Sequence, residues 1–132
     1  MIFIRIAVYS LLTLLISCSG REDIQLTFTG KTFNHLFFET EQECIESQPY
    51  PDYFSNCGQQ LTFIDDTQAT IILTDIVNAV TYSFYKNMIV ITPTSGSEFS
   101  DDIVFEIIGP GTLMQVDNDS IWKEQLGDSI WD

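Results

Sequence analysis

From Gln60 to Lys123 the chain is a succession of short segments in which apolar and polar residues alternate, each closed by turn-forming residues. The segments are Gln60–Ile64, Gln68–Leu73, Ala79–Tyr85, Met88–Pro93, Ile103–Ile108, Thr112–Val116 and Ser120–Lys123. Period two puts successive side chains on opposite faces of a strand, and the β-branched and aromatic content suits a pleated, half-buried surface. Upstream, Ile24, Leu26 and Phe28 alternate with Gln25, Thr27 and Thr29 before Gly30, and Phe33–Phe38 forms a second apolar stretch. Between the runs stand Asp65-Asp66-Thr67, Lys86-Asn87, Gly109-Pro110-Gly111 and Asp117-Asn118-Asp119, residues that close tight turns. No stretch carries a sustained helical period.

Short strands joined by tight turns make an antiparallel meander. Such a sheet removes its exposed edges by closing, so the expected fold is all-β, a small barrel of about eight strands. An open β-sandwich is the alternative. One short helix is expected at Glu41–Ser47, where Thr40 and Glu43 match a capping box and early glutamates suit the positive helix end. The Gln48–Gly58 segment, with Pro49, Pro51 and Gly58, reads as a loop, and Gln125–Asp132 as a tail docked by Ile130 and Trp131.

The alternation assigns an inward face that includes Leu26, Leu61, Ile71, Leu73, Val80, Phe84, Ile103 and Leu113 together with Phe28, Phe63, Tyr82 and Phe105. Almost no polar residue joins it. The last four are the candidates to line a cavity, were the barrel hollow. Large aromatics on short strands tend instead to fill a small barrel.

The first residues read MIFIRIAVYSLLTLLISCSG: one cation, Arg5, then the apolar run Ile6–Ile16 and small residues. That is the plan of a secretory signal peptide, and the run is too short to span the roughly 30 Å of a bilayer core. Leu15-Ile16-Ser17-Cys18 resembles the lipobox of bacterial lipoproteins. The resemblance implies cleavage before Cys18 and acylation of that cysteine, leaving residues 1–17 as a removed signal, 18–23 as a lipidated tether and 24–132 as a single domain. Two or more acyl chains anchor stably where one is marginal. Ser19, where Asp would favour inner-membrane retention, implies the outer membrane of a bacterial envelope.

With Cys18 assigned to lipid, Cys44 and Cys57 remain. Two cysteines in an exported domain are expected to pair, and closing that loop would contribute about 3 kcal/mol in the chain-entropy model. The strand pattern also resembles the small lipocalin-like lipoproteins of bacteria, through Gly30-Lys31-Thr32-Phe33, Leu61-Thr62-Phe63, the Tyr82–Ile89 hairpin and Trp122-Lys123. That likeness implies an eight-stranded barrel and a small apolar ligand.

All nineteen acidic residues follow the leader, against Arg21, Lys31, Lys86 and Lys123. A surface of this charge repels phosphate backbones, which excludes nucleic acid and leaves basic proteins or divalent cations as compatible partners. Catalysis needs a nucleophile, an acid or base, or a metal in a water-poor site. The only histidine is His35, and there is no Cys-His cluster of zinc spacing, no Gly-x-Ser-x-Gly elbow and no phosphate-cradling glycine loop. Asp117-Asn118-Asp119 opens like a calcium loop, but Trp122 stands where its glycine belongs, so no cofactor is expected beyond weak calcium binding.

These readings converge on a non-enzymatic, membrane-anchored interaction module that meets an envelope protein. Its expected working face is the loop bearing Tyr50, Tyr53 and Phe54 between the two cysteines. A carrier of a small apolar ligand is the alternative.

Overall fold

The computed structural model describes residues 28–132. The leader, Cys18 and the expected strand residues Ile24 and Leu26 lie outside them. Eight strands form a closed antiparallel barrel in strict sequence order: β1 (Thr32–Leu36), β2 (Gly58–Phe63), β3 (Gln68–Ile72), β4 (Val77–Tyr85), β5 (Met88–Pro93), β6 (Ile103–Gly109), β7 (Thr112–Gln115) and β8 (Ile121–Glu124). One helix, α1 (Glu41–Glu46), lies between β1 and β2. The sheet closes where Phe33 pairs with Glu124 and Asn34 with Lys123. This closure rules out the open sandwich, and it leaves no free edge among the described strands.

The turns sort the barrel into two ends. At one end lie the β2–β3, β4–β5 and β6–β7 turns, together with the point where the chain enters at Phe28; we call it the turn end. At the other lie the β1–β2 connection with α1, the β3–β4 turn, the β5–β6 connection and the β7–β8 turn; this is the loop end. The Lys86-Asn87 hairpin puts Lys86 at φ 57°, the left-handed region that two-residue hairpins use. A register shift between Ile107 and Gly109 bends the end of β6 before Pro110.

The interior is packed. Cross-strand pairs Leu61–Ile71, Phe63–Ala69, Tyr82–Ile91, Ile89–Phe105 and Leu113–Trp122 face inward, and every member is buried. Phe28 rests across the turn end with its ring 5.0 Å from Phe63 and 5.7 Å from Phe33. The rings continue through Phe63–Tyr82 at 4.8 Å, and Phe105–Trp122 meet edge to face at 5.1 Å, spacings that aromatic pairs favour.

Three details depart from the alternation. Phe84 points inward but stands at the rim, where the nine-residue β4 outruns its neighbours, and is 46% exposed. Leu73 and Ile103 are half-buried for the same reason of position, each at a barrel end. Polar residues do enter the buried set: Asn34, Asn78 and Gln115. Each finds partners, so the low dielectric carries no orphaned group. Asn34 lies on the outer face, where Gln60 donates to its Oδ1 at 3.1 Å and its Nδ2 donates to Gln125 Oε1 at 2.9 Å.

Candidate interaction surface

The loop end is built outward from a short, strongly capped helix. The Thr40 hydroxyl accepts from the Glu43 N–H at 3.2 Å, and the Glu43 carboxylate accepts in return from the Thr40 N–H at 3.3 Å. This capping box satisfies two of the free donors at the helix start. It also fixes the direction of α1, which buries Cys44 completely and brings it to Cys57. The two form a disulfide with a Cα–Cα distance of 5.7 Å, inside the normal range.

Gln48 ties the segment between them into one piece. Its Nε2 donates to the Cys44 carbonyl at 2.9 Å, and its Oε1 accepts from the Ser55 N–H at 2.6 Å. Tyr50-Pro51-Asp52-Tyr53 closes as a tight turn, with the Tyr53 N–H donating to the Tyr50 carbonyl at 3.2 Å. Proline at the second position presets the backbone for that turn. The Asn56 side chain donates to the Thr74 carbonyl and ties the segment to the β3–β4 turn.

This framework leaves the aromatics outside. Tyr50 is 70% exposed, Tyr53 60% and Phe54 66%, so none of them plugs the barrel. Ile45 on α1 is exposed beside them. Between α1, the stapled segment, the outer face of β1–β3 and the C-terminal Ile130 and Trp131 runs a groove of about 410 Å³. Its polar lining comes from Asn34, Glu41, Asn56, Gln59, Gln60 and Ser129.

The same end carries most of the negative charge of the described residues. Five carboxylates stand in the β1–β2 connection, one in the β3–β4 turn, three in the β5–β6 connection and two in the β7–β8 turn, and none of these segments has a lysine or arginine. The single histidine belongs to the packing. His35 Nδ1 donates to the Ile121 carbonyl at 2.8 Å, and its ring stacks on Trp122 at 5.8 Å. Among the described residues no other side chain hydrogen-bonds it. Asp117-Asn118-Asp119 forms the β7–β8 turn, in which Asn118 Oδ1 accepts from the Ser120 N–H at 3.0 Å. No group of three or more His, Cys, Asp or Glu side chains converges on one point among the described residues.

Phe28, Phe63, Tyr82 and Phe105 are all in the core. The Tyr82 hydroxyl donates to the Asp65 backbone carbonyl, closing the barrel beneath the β2–β3 turn. Burial pushes that phenol above its ordinary pKa, with the charges of Asp66 and Asp65 adding to the effect. Sequence reasoning missed Asn78, which orders the loop end: its Oδ1 accepts from the Glu98 N–H at 2.8 Å. An inward-facing amide beside a turn was the available signal. No family model, curated protein or solved structure matches the chain.

Proposed function

We propose that the protein is a lipid-anchored interaction module of a bacterial envelope, and that its acidic, aromatic loop end binds a cationic polypeptide. The observation that carries this reading is the stapled segment. Three aromatic side chains stand 60–70% exposed on a backbone held by a disulfide, Gln48 and a proline turn. Rigid exposed aromatics bind at little entropic cost and dominate the energy of protein interfaces. The surrounding carboxylates, with no cation among them, favour a basic partner and speed its encounter. The rings of Tyr50 and Tyr53 add cation–π sites for Lys or Arg.

The packed interior supports this reading over a carrier, since the side chains that would line a cavity touch one another instead. Acylation of Cys18 supplies the anchor, and the lipobox is what supports it. No part of the reading requires catalysis.

A photo-crosslinking residue in place of Asp52 tests the proposal in cells that make the full chain. The expected result is an adduct to a basic envelope protein that weakens with added salt and disappears in Tyr50→Ser/Tyr53→Ser. An adduct pattern unchanged by that double substitution refutes the loop as the binding face.

A further inference from the structure

We infer that the turn end of the barrel rests on the bilayer, in the headgroup region, and that the loop end is thereby aimed away from the membrane. The inference rests on the lipid-anchor reading and adds an orientation that the anchor alone does not impose. Cys18 and Phe28 are ten positions apart in the sequence, and an anchor at one does not by itself fix which end of the domain faces lipid. Something on the domain must choose an end.

Three features of the turn end do so. The chain enters there, pinned by the Gly30 N–H to the Phe63 carbonyl and the Lys31 N–H to the Phe28 carbonyl, both at 2.8 Å. Each strand arriving at that end finishes in an exposed apolar side chain: Ile64 after β2, Phe84 and Tyr85 on β4, Ile108 on β6 and Leu126 after β8. These project 46–83% of their surface where no other described residue covers it. Rings and aliphatic tips of this kind partition into the interfacial zone of a bilayer.

Charge biases the choice: the turn end sets Lys31 and Lys86 against four carboxylates, Asp65, Asp66, Glu106 and Glu124, whereas the four loop-end connections carry eleven carboxylates and no cation. Lys31 and Lys86 lie at the turn end, and Lys123 is on β8. Lys86 Nζ sits 5.4 Å from the Tyr85 ring centre, so this tip is apolar below and cationic above. Each carboxylate near this end has a partner, but only the one paired with a lysine is neutralised, and the others keep their charge. Glu124 pairs with Lys31 at 3.3 Å, Glu106 accepts from Asn87 at 3.1 Å, Asp66 from Thr29 at 3.3 Å, and Asp65 from two backbone N–H groups of its own turn. Exposed apolar residues also occur at the loop end, but among cation-free carboxylates that an anionic lipid surface repels.

The test uses the full chain, processed by a bacterial host and reconstituted into vesicles of phosphatidylethanolamine with phosphatidylglycerol. A nitroxide label is placed through Asn87→Cys at the turn end or Ser95→Cys at the loop end, since Cys44 and Cys57 are already bonded. The ratio of oxygen to nickel-chelate accessibility is expected to rise severalfold for the Asn87 label and to stay unchanged for the Ser95 label. The rise should disappear when Ile64→Glu and Ile108→Glu are added, and both residues are exposed enough for the fold to tolerate the change. Equal accessibility at the two labels, or entry of the Ser95 label into lipid, overturns the inference. The mass of the N-terminal peptide is read from the same samples. An unacylated Cys18 removes the anchor reading, whereas an acylated Cys18 with a wet Asn87 label removes the docking alone.

Discussion

Asn78 accepts the Glu98 N–H at 2.8 Å while donating to the carbonyls of Ile71 and Ile76 at 3.2 and 3.1 Å, so one buried amide joins three segments of the loop end. It is 2% exposed, and water cannot replace it. Asn78→Leu removes all three bonds; the one to Ile71 is buried and those to Ile76 and Glu98 are partly so, and a buried orphan costs about 1–3 kcal/mol. Urea unfolding is expected to show a loss of about 3 kcal/mol, with the Glu98 amide exchanging faster than in the parent. An unchanged Glu98 exchange rate would contradict this role.

Phe28 is a small-domain cork. Its ring meets Phe33, Phe63 and Phe84, the last at 5.4 Å. Truncating a buried phenylalanine typically costs 3–5 kcal/mol. Phe28→Ala should fall near 3 kcal/mol, because at the rim the neighbours can partly collapse. The urea midpoint measures this, with the slope expected to stay constant.

The disulfide should separate local from global stability. Cys44 and Cys57 are 13 residues apart, and removing such a crosslink costs about 2–5 kcal/mol. The β ladders do not pass through it. In Cys44→Ser/Cys57→Ser, limited proteolysis is expected first between Gln48 and Asn56, while far-ultraviolet dichroism retains the strand signal. Simultaneous loss of both would mean that the loop and the barrel unfold as one unit.

Asp65 sets an acid-side dependence. The backbone N–H groups of Thr67 and Gln68 donate to its Oδ1 at 2.9 and 2.8 Å and hold its carboxyl below the usual value of 3.8. A folded-state pKa depressed in this way contributes stability that is fully present above the unfolded value and is lost as pH falls through the folded one. Carboxyl carbon NMR should place the Asp65 midpoint below 3.8. The stability advantage of the parent over Asp65→Ala should be constant near neutrality and shrink in the acid range. A difference independent of pH would assign the effect to the turn backbone alone.

Much of the architecture was legible residue by residue. Alternation from Gln60 to Lys123 places β2 to β8 to within a few residues, because side-chain direction in a strand is a local property. Thr40 and Glu43 mark the helix start for a similarly local reason: the capping bonds span three residues. Phe84 shows the limit. Its parity is correct, but burial also depends on how far the neighbouring strands reach. Trp122, buried completely, lies on one of the shortest strands, where four residues carry little periodic signal.

What this chain's sequence determined by itself is therefore the set of strands, their turns, the capped helix and a core of aromatics. A closed barrel was expected from the strand pattern, but tertiary structure alone decided which residues close it: β1 meets β8 at Phe33 and Glu124, 91 positions apart. Closure sorted the connections into two ends, set the aromatic loop opposite the point of chain entry, and enclosed Asn78 beside Glu98. Neighbouring residues encode direction and turning; which distant strands become partners depends on twist and stagger accumulated around the whole barrel.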